Sequence, residues 1–196
     1  MLRIILCALL TALPSVGYAY DRYKQALKSV FNAEAICISV ITDHRFFDPL
    51  KNGESVIDKL KSDGDEVDKA FAPVGRVQKN IKALLSDKFQ SQLSLKTVDC
   101  DSAPYLVWVE IKADQSLDVI GSNLYEIKLQ IDLREKATTV TGYTGFISVY
   151  SVNDQEFATS KAAVEAQVYK ALDDAFEKLR KVFTEASTYC SVSRCK

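Results

Sequence analysis

Three stretches of the chain repeat apolar side chains at the spacing of an α-helix. The first is a short stretch, 20–31, and the other two, 74–92 and 160–187, are longer. Most charged residues of the long stretches lie away from the apolar positions, so we predict two amphipathic helices that each pack one face, and a short opening helix. The apolar positions of the long stretches are Val74, Val77, Ile81, Leu84, Leu85 and Phe89, then Val164, Val168, Leu172, Phe176, Leu179 and Phe183.

Five other stretches have the pattern of apolar and polar residues that is typical of β-strands: 35–42, 95–98, 105–113, 124–134 and 143–152. The clearest is 124–134, where apolar residues such as Ile127 and Leu129 alternate with polar ones such as Glu126 and Lys128. Strands that follow one another with short turns predict an antiparallel meander. We therefore expect an α+β fold, a two-layer sandwich in which a mostly antiparallel sheet is covered on one face by the two amphipathic helices.

The stretch 43–70 has little apolar periodicity and several turn residues, including Pro49 and the Asn52–Gly53 pair. It is predicted to be a surface excursion, and long loops are often where function lies. We expect a single domain over 20–188 with this excursion at about 43–70, followed by a cysteine-containing tail, 189–196.

The first 19 residues have the order of a secretory signal peptide. Arg3 precedes an apolar run over 4–13, and Gly17 and Ala19 are the small residues of a cleavage site, which predicts cleavage before Tyr20. No later stretch is apolar enough to span a bilayer. We expect a periplasmic or secreted protein without membrane insertion after cleavage.

Composition and charge exclude some functions. The chain has 25 basic and 26 acidic residues, a formal net charge of -1, so it lacks the basic surplus typical of nucleic-acid binding. It has one histidine, which excludes zinc sites built from two or more histidines.

Four cysteines remain beyond the signal peptide: Cys37, Cys100, Cys190 and Cys195. An even number in an exported chain indicates disulfides. We favour Cys37–Cys100, joining two predicted strand regions, and Cys190–Cys195, closing a small loop in the tail. Pairing of the two tail cysteines with Cys37 and Cys100 stays open.

The strand APYLVWVEI at 103–111, the strand YEIKLQIDL at 125–133 and a long C-terminal helix together resemble the small periplasmic modules similar to the TolB N-terminal domain. The resemblance covers roughly 74–186 and rests on the order of elements. It implies an envelope protein that binds other proteins rather than a catalyst.

The outward faces of the predicted strands supply the candidate binding residues. Leu106 and Trp108 alternate away from the core, and Phe146 and Tyr150 are expected to extend the same stripe on a neighbouring strand. The stripe is either covered by the 43–70 excursion or exposed as a partner-binding surface, because exposed aromatic residues can anchor a partner. We assign partner binding to these four residues.

Two other clusters contain residue types that occur in functional sites. His44 with Asp43 or Asp48 has the residue types of an oriented base, but no nucleophile motif accompanies it. The acidic residues Asp63, Asp65, Glu66 and Asp68 do not have the spacing of a calcium-binding EF-hand loop. We predict no metal and no cofactor.

The sequence thus favours an exported, non-catalytic binding or adaptor module that engages another envelope or secreted protein. Two alternatives stay open: a small exported hydrolase that uses His44 with Asp43 or Asp48, and a carrier of a small ligand.

Overall fold

The computed structural model describes residues 21–42, 75–117, 123–138, 142 and 144–191. In chain order the elements are α1 (21–31), β1 (Ala35–Thr42), α2 (Arg76–Leu93), β2 (Lys96–Thr97), β3 (Tyr105–Leu117), β4 (Asn123–Thr138), β5 (Thr144–Ala158) and α3 (Lys161–Ser191). The predicted signal peptide, the predicted excursion at 43–70 and Cys195 lie outside the described residues. The predicted α+β fold is confirmed.

The five strands form one open sheet in the order β2-β1-β3-β4-β5. Strands β3, β4 and β5 pair antiparallel, which confirms that part of the predicted meander. The meander does not extend to β2, because β1 lies between β2 and β3 and is parallel to both. Helix α2 connects β1 to β2 and carries the chain back along the sheet, so that β2 runs in the direction of β1.

The helices pack on one face of the sheet, which we call the inner face. Helix α2 contacts β1 and β2, and α3 contacts β4 and β5. The core between the two layers is apolar, and the Phe89 ring of α2 meets the Phe176 ring of α3 edge to face, with centroids 5.3 Å apart. Helix α1 also contributes to this core, and its Ser29 hydroxyl donates a hydrogen bond of 2.9 Å to Glu135 of β4. In the described part of the chain, three helices rather than the predicted two therefore cover the inner face.

The elements are longer than their sequence patterns. Strand β3 continues to Leu117, β4 to Thr138 and β5 to Ala158, and α3 continues to Ser191, into the predicted tail. Hydrogen bonds between paired strands continue through polar residues, which the alternation of apolar positions does not mark. Among the described residues, no helix is long and apolar enough to cross a membrane.

The favoured disulfide Cys37–Cys100 is confirmed, with Cα atoms 4.9 Å apart. The alternative that pairs both tail cysteines with Cys37 and Cys100 is therefore wrong. Cys190 is disulfide-bonded as well. The Cys190–Cys195 bond stays a prediction.

Candidate functional site

Three of the four predicted binding residues meet on the outer face of the sheet, the face opposite the helices. Leu106 is buried beside the Cys37–Cys100 disulfide, and Trp108 and Phe146 pack partly buried against the same small cluster. Leu106 has 0% of its surface exposed, so its expected role as an exposed contact is wrong. Leu106 is part of the buried cluster against which the two aromatic residues pack.

Tyr150 lies on the inner face, which corrects the prediction of one continuous stripe. Arg134 of β4 pairs with Ser148 of β5, but the preceding residue Leu133 pairs with Tyr150, so Val149 is an extra residue in β5. Such a β-bulge reverses which residues of the strand face the core. Tyr150 therefore packs beside Tyr23 of α1, with ring centroids 6.5 Å apart, and burial raises the pKa of its hydroxyl.

Trp108 is held by two polar residues that the sequence analysis did not single out. Asp132 of β4 stands directly opposite Trp108 in the β3–β4 register. The guanidinium carbon of Arg134 lies 4.5 Å from the centroid of the Trp108 ring, within the range of a cation–π interaction. Arg134 also donates a hydrogen bond of 2.9 Å to Asp132, so one guanidinium group joins the ring to the carboxylate.

Asp132 is buried although it belongs to the polar side of the β4 alternation, with 4% of its surface exposed. The amide of Gln130 donates to it at 2.9 Å, and the hydroxyl of Ser151 also donates to it. Burial opposes the charged carboxylate, but the hydrogen bonds from Ser151, Gln130 and Arg134 and the charge of Arg134 outweigh burial and lower the pKa of Asp132 below its usual value. Asp132 is therefore a carboxylate that orients Arg134.

A second aromatic–cation pair lies beside the first. Lys136 of β4 is paired in register with Phe146 of β5, and its ammonium nitrogen lies 5.8 Å from the centroid of the Phe146 ring. The same ammonium donates to the backbone carbonyl of Asp101. We call Trp108, Asp132, Arg134, Lys136 and Phe146 the outer-face site.

A polar groove of about 540 Å³ lies farther along the same face. Glu110, which follows Trp108 by two residues on β3, is one of its lining residues and forms an ion pair of 2.8 Å with Lys112. Lys128 also lines the groove and pairs with Glu126 at 2.8 Å. The charges of this groove are thus largely balanced by neighbours on the same strand.

The other two sequence candidates lie outside the described residues. These are the set His44, Asp43 and Asp48, and the acidic residues 63–68. Within the described ranges, no group of three or more His, Cys, Asp or Glu side chains is placed to hold a metal ion.

Asp132 and Arg134 were missed because sequence alternation assigned the polar side of β4 to water. A signal was present in the run of polar residues at every second position, from Gln130 to Lys136. It could not be interpreted without the register, since only the pairing of β3 with β4 places Asp132 opposite Trp108.

No protein-family model matches the chain, and no curated protein matches it. Among solved structures it is similar to that of the hypothetical protein CT253 from Chlamydia trachomatis, with a TM-score of 0.41 and 8% sequence identity over 77% of this chain and 98% of that one. A likeness at this level says nothing about what the chain binds. The resemblance to the TolB N-terminal domain stays a prediction.

Proposed function

We propose that the chain is an exported binding module, without catalysis of its own, that engages another envelope or secreted protein through the outer-face site. The observation that carries the proposal is the Trp108–Arg134 pair held by buried Asp132. Tryptophan and arginine are the residue types that most often dominate binding energy at protein interfaces.

The support beneath this pair favours binding because it limits the motion of both side chains before a partner arrives. Arg134 is constrained by the ring and by the carboxylate, and Trp108 packs on the cluster around the disulfide. Side chains that are already ordered lose less conformational entropy on association.

Export is the second component of the proposal. It is supported by the signal-like order of the first 19 residues and by the Cys37–Cys100 disulfide, because such bonds persist in oxidising compartments. We infer a periplasmic or secreted location. The intact mass of the chain recovered from its native cells tests export: a mass beginning at Tyr20 is expected, and a mass that retains residues 1–19 would contradict it.

Binding is tested by crosslinking the tagged chain in its native envelope and identifying captured proteins by mass spectrometry. We expect one dominant partner, whose capture falls at least about tenfold in Trp108→Ser and in Arg134→Lys, which keeps the charge but loses the planar fork. Phe31→Ser is the matched control, because Phe31 is an exposed aromatic residue on α1, far in sequence from the site, with 47% of its surface exposed.

The two site variants separate loss of binding from loss of folding. Thermal unfolding of each variant is measured beside its capture, and Arg134→Lys removes little packing volume. If the folded variants capture the partner as well as the unmodified chain does, the outer-face site is not the binding surface and the proposal is wrong.

A further inference from the structure

Strand β5 is a long strand at one edge of the sheet. It runs for 15 residues, whereas the strand at the opposite edge, β2, has two. Within the described residues, β5 pairs with β4 alone. A long edge strand presents backbone N–H and C=O groups that can pair with an added strand.

The first two thirds of β5 lack the charges that usually protect an edge. Residues 144–153 contain no charged side chain, and Ile147 within them has 50% of its surface exposed. The acidic residues of the strand come later, and both are paired with α3: Asp154 with Lys178 at 3.2 Å, and Glu156 with Lys170 at 2.7 Å. The β-bulge at Val149 interrupts the regular strand geometry of this edge.

The bulge also forms one wall of a pocket of about 260 Å³. Four consecutive β5 residues, Ser148 to Ser151, line it together with Arg22 and Tyr23 of α1. Arg22 is exposed and forms no ion pair or hydrogen bond with any residue that the structure describes. A guanidinium without a partner among the described residues therefore lies beside the point where the edge strand is bulged.

We propose that this edge binds an extended segment of another protein by strand addition, and that an acidic side chain of the segment binds Arg22 in the pocket. The segment pairs with the uncharged part of β5 on the N-terminal side of the bulge, where apolar or β-branched side chains lie next to exposed Ile147. An arginine prefers a carboxylate because its N–H donors match the two oxygens.

The charge of the pocket favours a foreign acidic segment over a second copy of the chain. A second β5 would bring only Asp154 and Glu156 as acidic groups, and both are already neutralised by lysines of α3. Over residues 144–153 it would offer Arg22 no carboxylate.

This surface is distinct from the outer-face site. Arg22, Tyr23 and Tyr150 lie on the side of the sheet that the helices cover, while Trp108 and Arg134 lie on the other. The inference does not depend on the proposed function, and either can fail alone.

The probe is a labelled peptide, acetyl-Glu-Thr-Val-Thr-Val-Thr-Glu-amide, titrated with the disulfide-bonded chain and followed by fluorescence anisotropy. Its partner probe has lysine in place of both glutamates. We expect the acidic peptide to bind at least about tenfold more tightly than the lysine peptide, since the exchange replaces attraction to Arg22 with repulsion from it. Arg22→Glu should reverse the preference, and Arg22→Gln should abolish it.

Lys28→Glu is the matched control, because Lys28 is an exposed cation of the same helix that does not line the pocket. It should keep the preference for the acidic peptide. A third probe, the acidic peptide with every valine and threonine N-methylated so that both edges of the strand lose their donors, should bind at least about tenfold more weakly, because strand addition needs backbone N–H donors.

Three results would overturn the inference: no binding of the acidic peptide at millimolar concentration, equal affinity for the two peptides, or unchanged binding after N-methylation. Sedimentation of the chain provides a fourth. If the chain is a dimer that the acidic peptide does not dissociate, a second copy occupies the edge and the inference is wrong.

Discussion

Arg134 lies over the Trp108 ring, with its guanidinium carbon 4.5 Å from the ring centroid. The two residues are on neighbouring strands, and the antiparallel register of β3 and β4 brings them together diagonally. Asp132 holds the arginine from the same strand, two positions away. The buried carboxylate of Asp132 thus positions Arg134 over the ring of Trp108.

Asp132→Asn should lower the free energy of unfolding by about 1–3 kcal/mol at neutral pH, because three side-chain donors lose a charged acceptor. The folded-state pKa of Asp132 lies below its usual value. The stabilisation is therefore complete above the unfolded-state pKa of about 4 and is lost as the pH falls through the folded-state pKa.

Urea unfolding of both proteins between pH 7 and acid pH measures this effect. The gap in stability should narrow as the pH falls below about 4. Asp114→Asn is the control, because Asp114 is an exposed acid of the same face, and its loss should cost less than about 0.5 kcal/mol. A gap that stays constant with pH would show that the charge of Asp132 does not stabilise the fold.

Replacing Cys37 and Cys100 with serine should lower the free energy of unfolding by about 4 kcal/mol on the chain-entropy account, because the bond joins residues 63 positions apart. Denaturant unfolding of oxidised protein measures the loss. Replacing Cys190 and Cys195 instead should cost less, since their predicted bond closes a far shorter loop. Equal losses for the two pairs would contradict the entropic explanation.

Ser94→Gly should raise the free energy of unfolding by roughly 0.5–1 kcal/mol. Ser94 is the C-cap that follows α2 and has a positive φ of 57°, and the next N–H, that of Leu95, donates to the Phe89 carbonyl at 3.2 Å. Glycine adopts this left-handed conformation without steric cost.

Ser91→Gly is the matched control, because Ser91 is exposed inside the same helix. There the same substitution should lower stability, by about 0.5 kcal/mol. Thermal unfolding of both variants checks the opposite signs, and a loss of stability in Ser94→Gly would refute the helix-end explanation.

Phe89→Ala should lower the free energy of unfolding by about 3–5 kcal/mol, because it leaves a cavity between α2 and α3. Phe89 is fully buried and contacts the rings of Phe176 and Phe183, whose centroids are 5.3 and 6.2 Å away. Phe31→Ala, at a half-exposed position, should change the free energy of unfolding by about 0.5 kcal/mol or less. Similar losses for both, measured by denaturant unfolding, would mean that Phe89 is not part of the main core.

The buried faces of the helices could be predicted from the local sequence pattern. The predicted stripe of α2 contains Val77, Ile81, Leu85 and Phe89, and all four are buried. Each helix carries its own period of 3.6 residues, so the buried face can be identified without knowing what covers it. The clean alternation of β4 was interpretable for the same reason, and its apolar residues from Tyr125 to Leu133 face the core.

The arrangement of the candidate site could not be predicted from the local sequence pattern alone. Leu106 and Trp108 share a face as alternation requires, but the extra residue at Val149 moved Tyr150 to the opposite face from Phe146. A bulge is defined by the pairing of two strands, so neither strand shows it alone. The burial of Asp132 likewise depends on groups from β4 and β5 that meet only in the sheet.

The sequence by itself determined the α+β class, the faces of the helices and the core side of β3 and β4, because these follow from periodicities within single segments. Tertiary structure decided the position of β1 between β2 and β3, the bulge in β5 and the Trp108–Arg134–Asp132 arrangement. These depend on which strands pair and in what register, and such contacts join residues far apart along the chain.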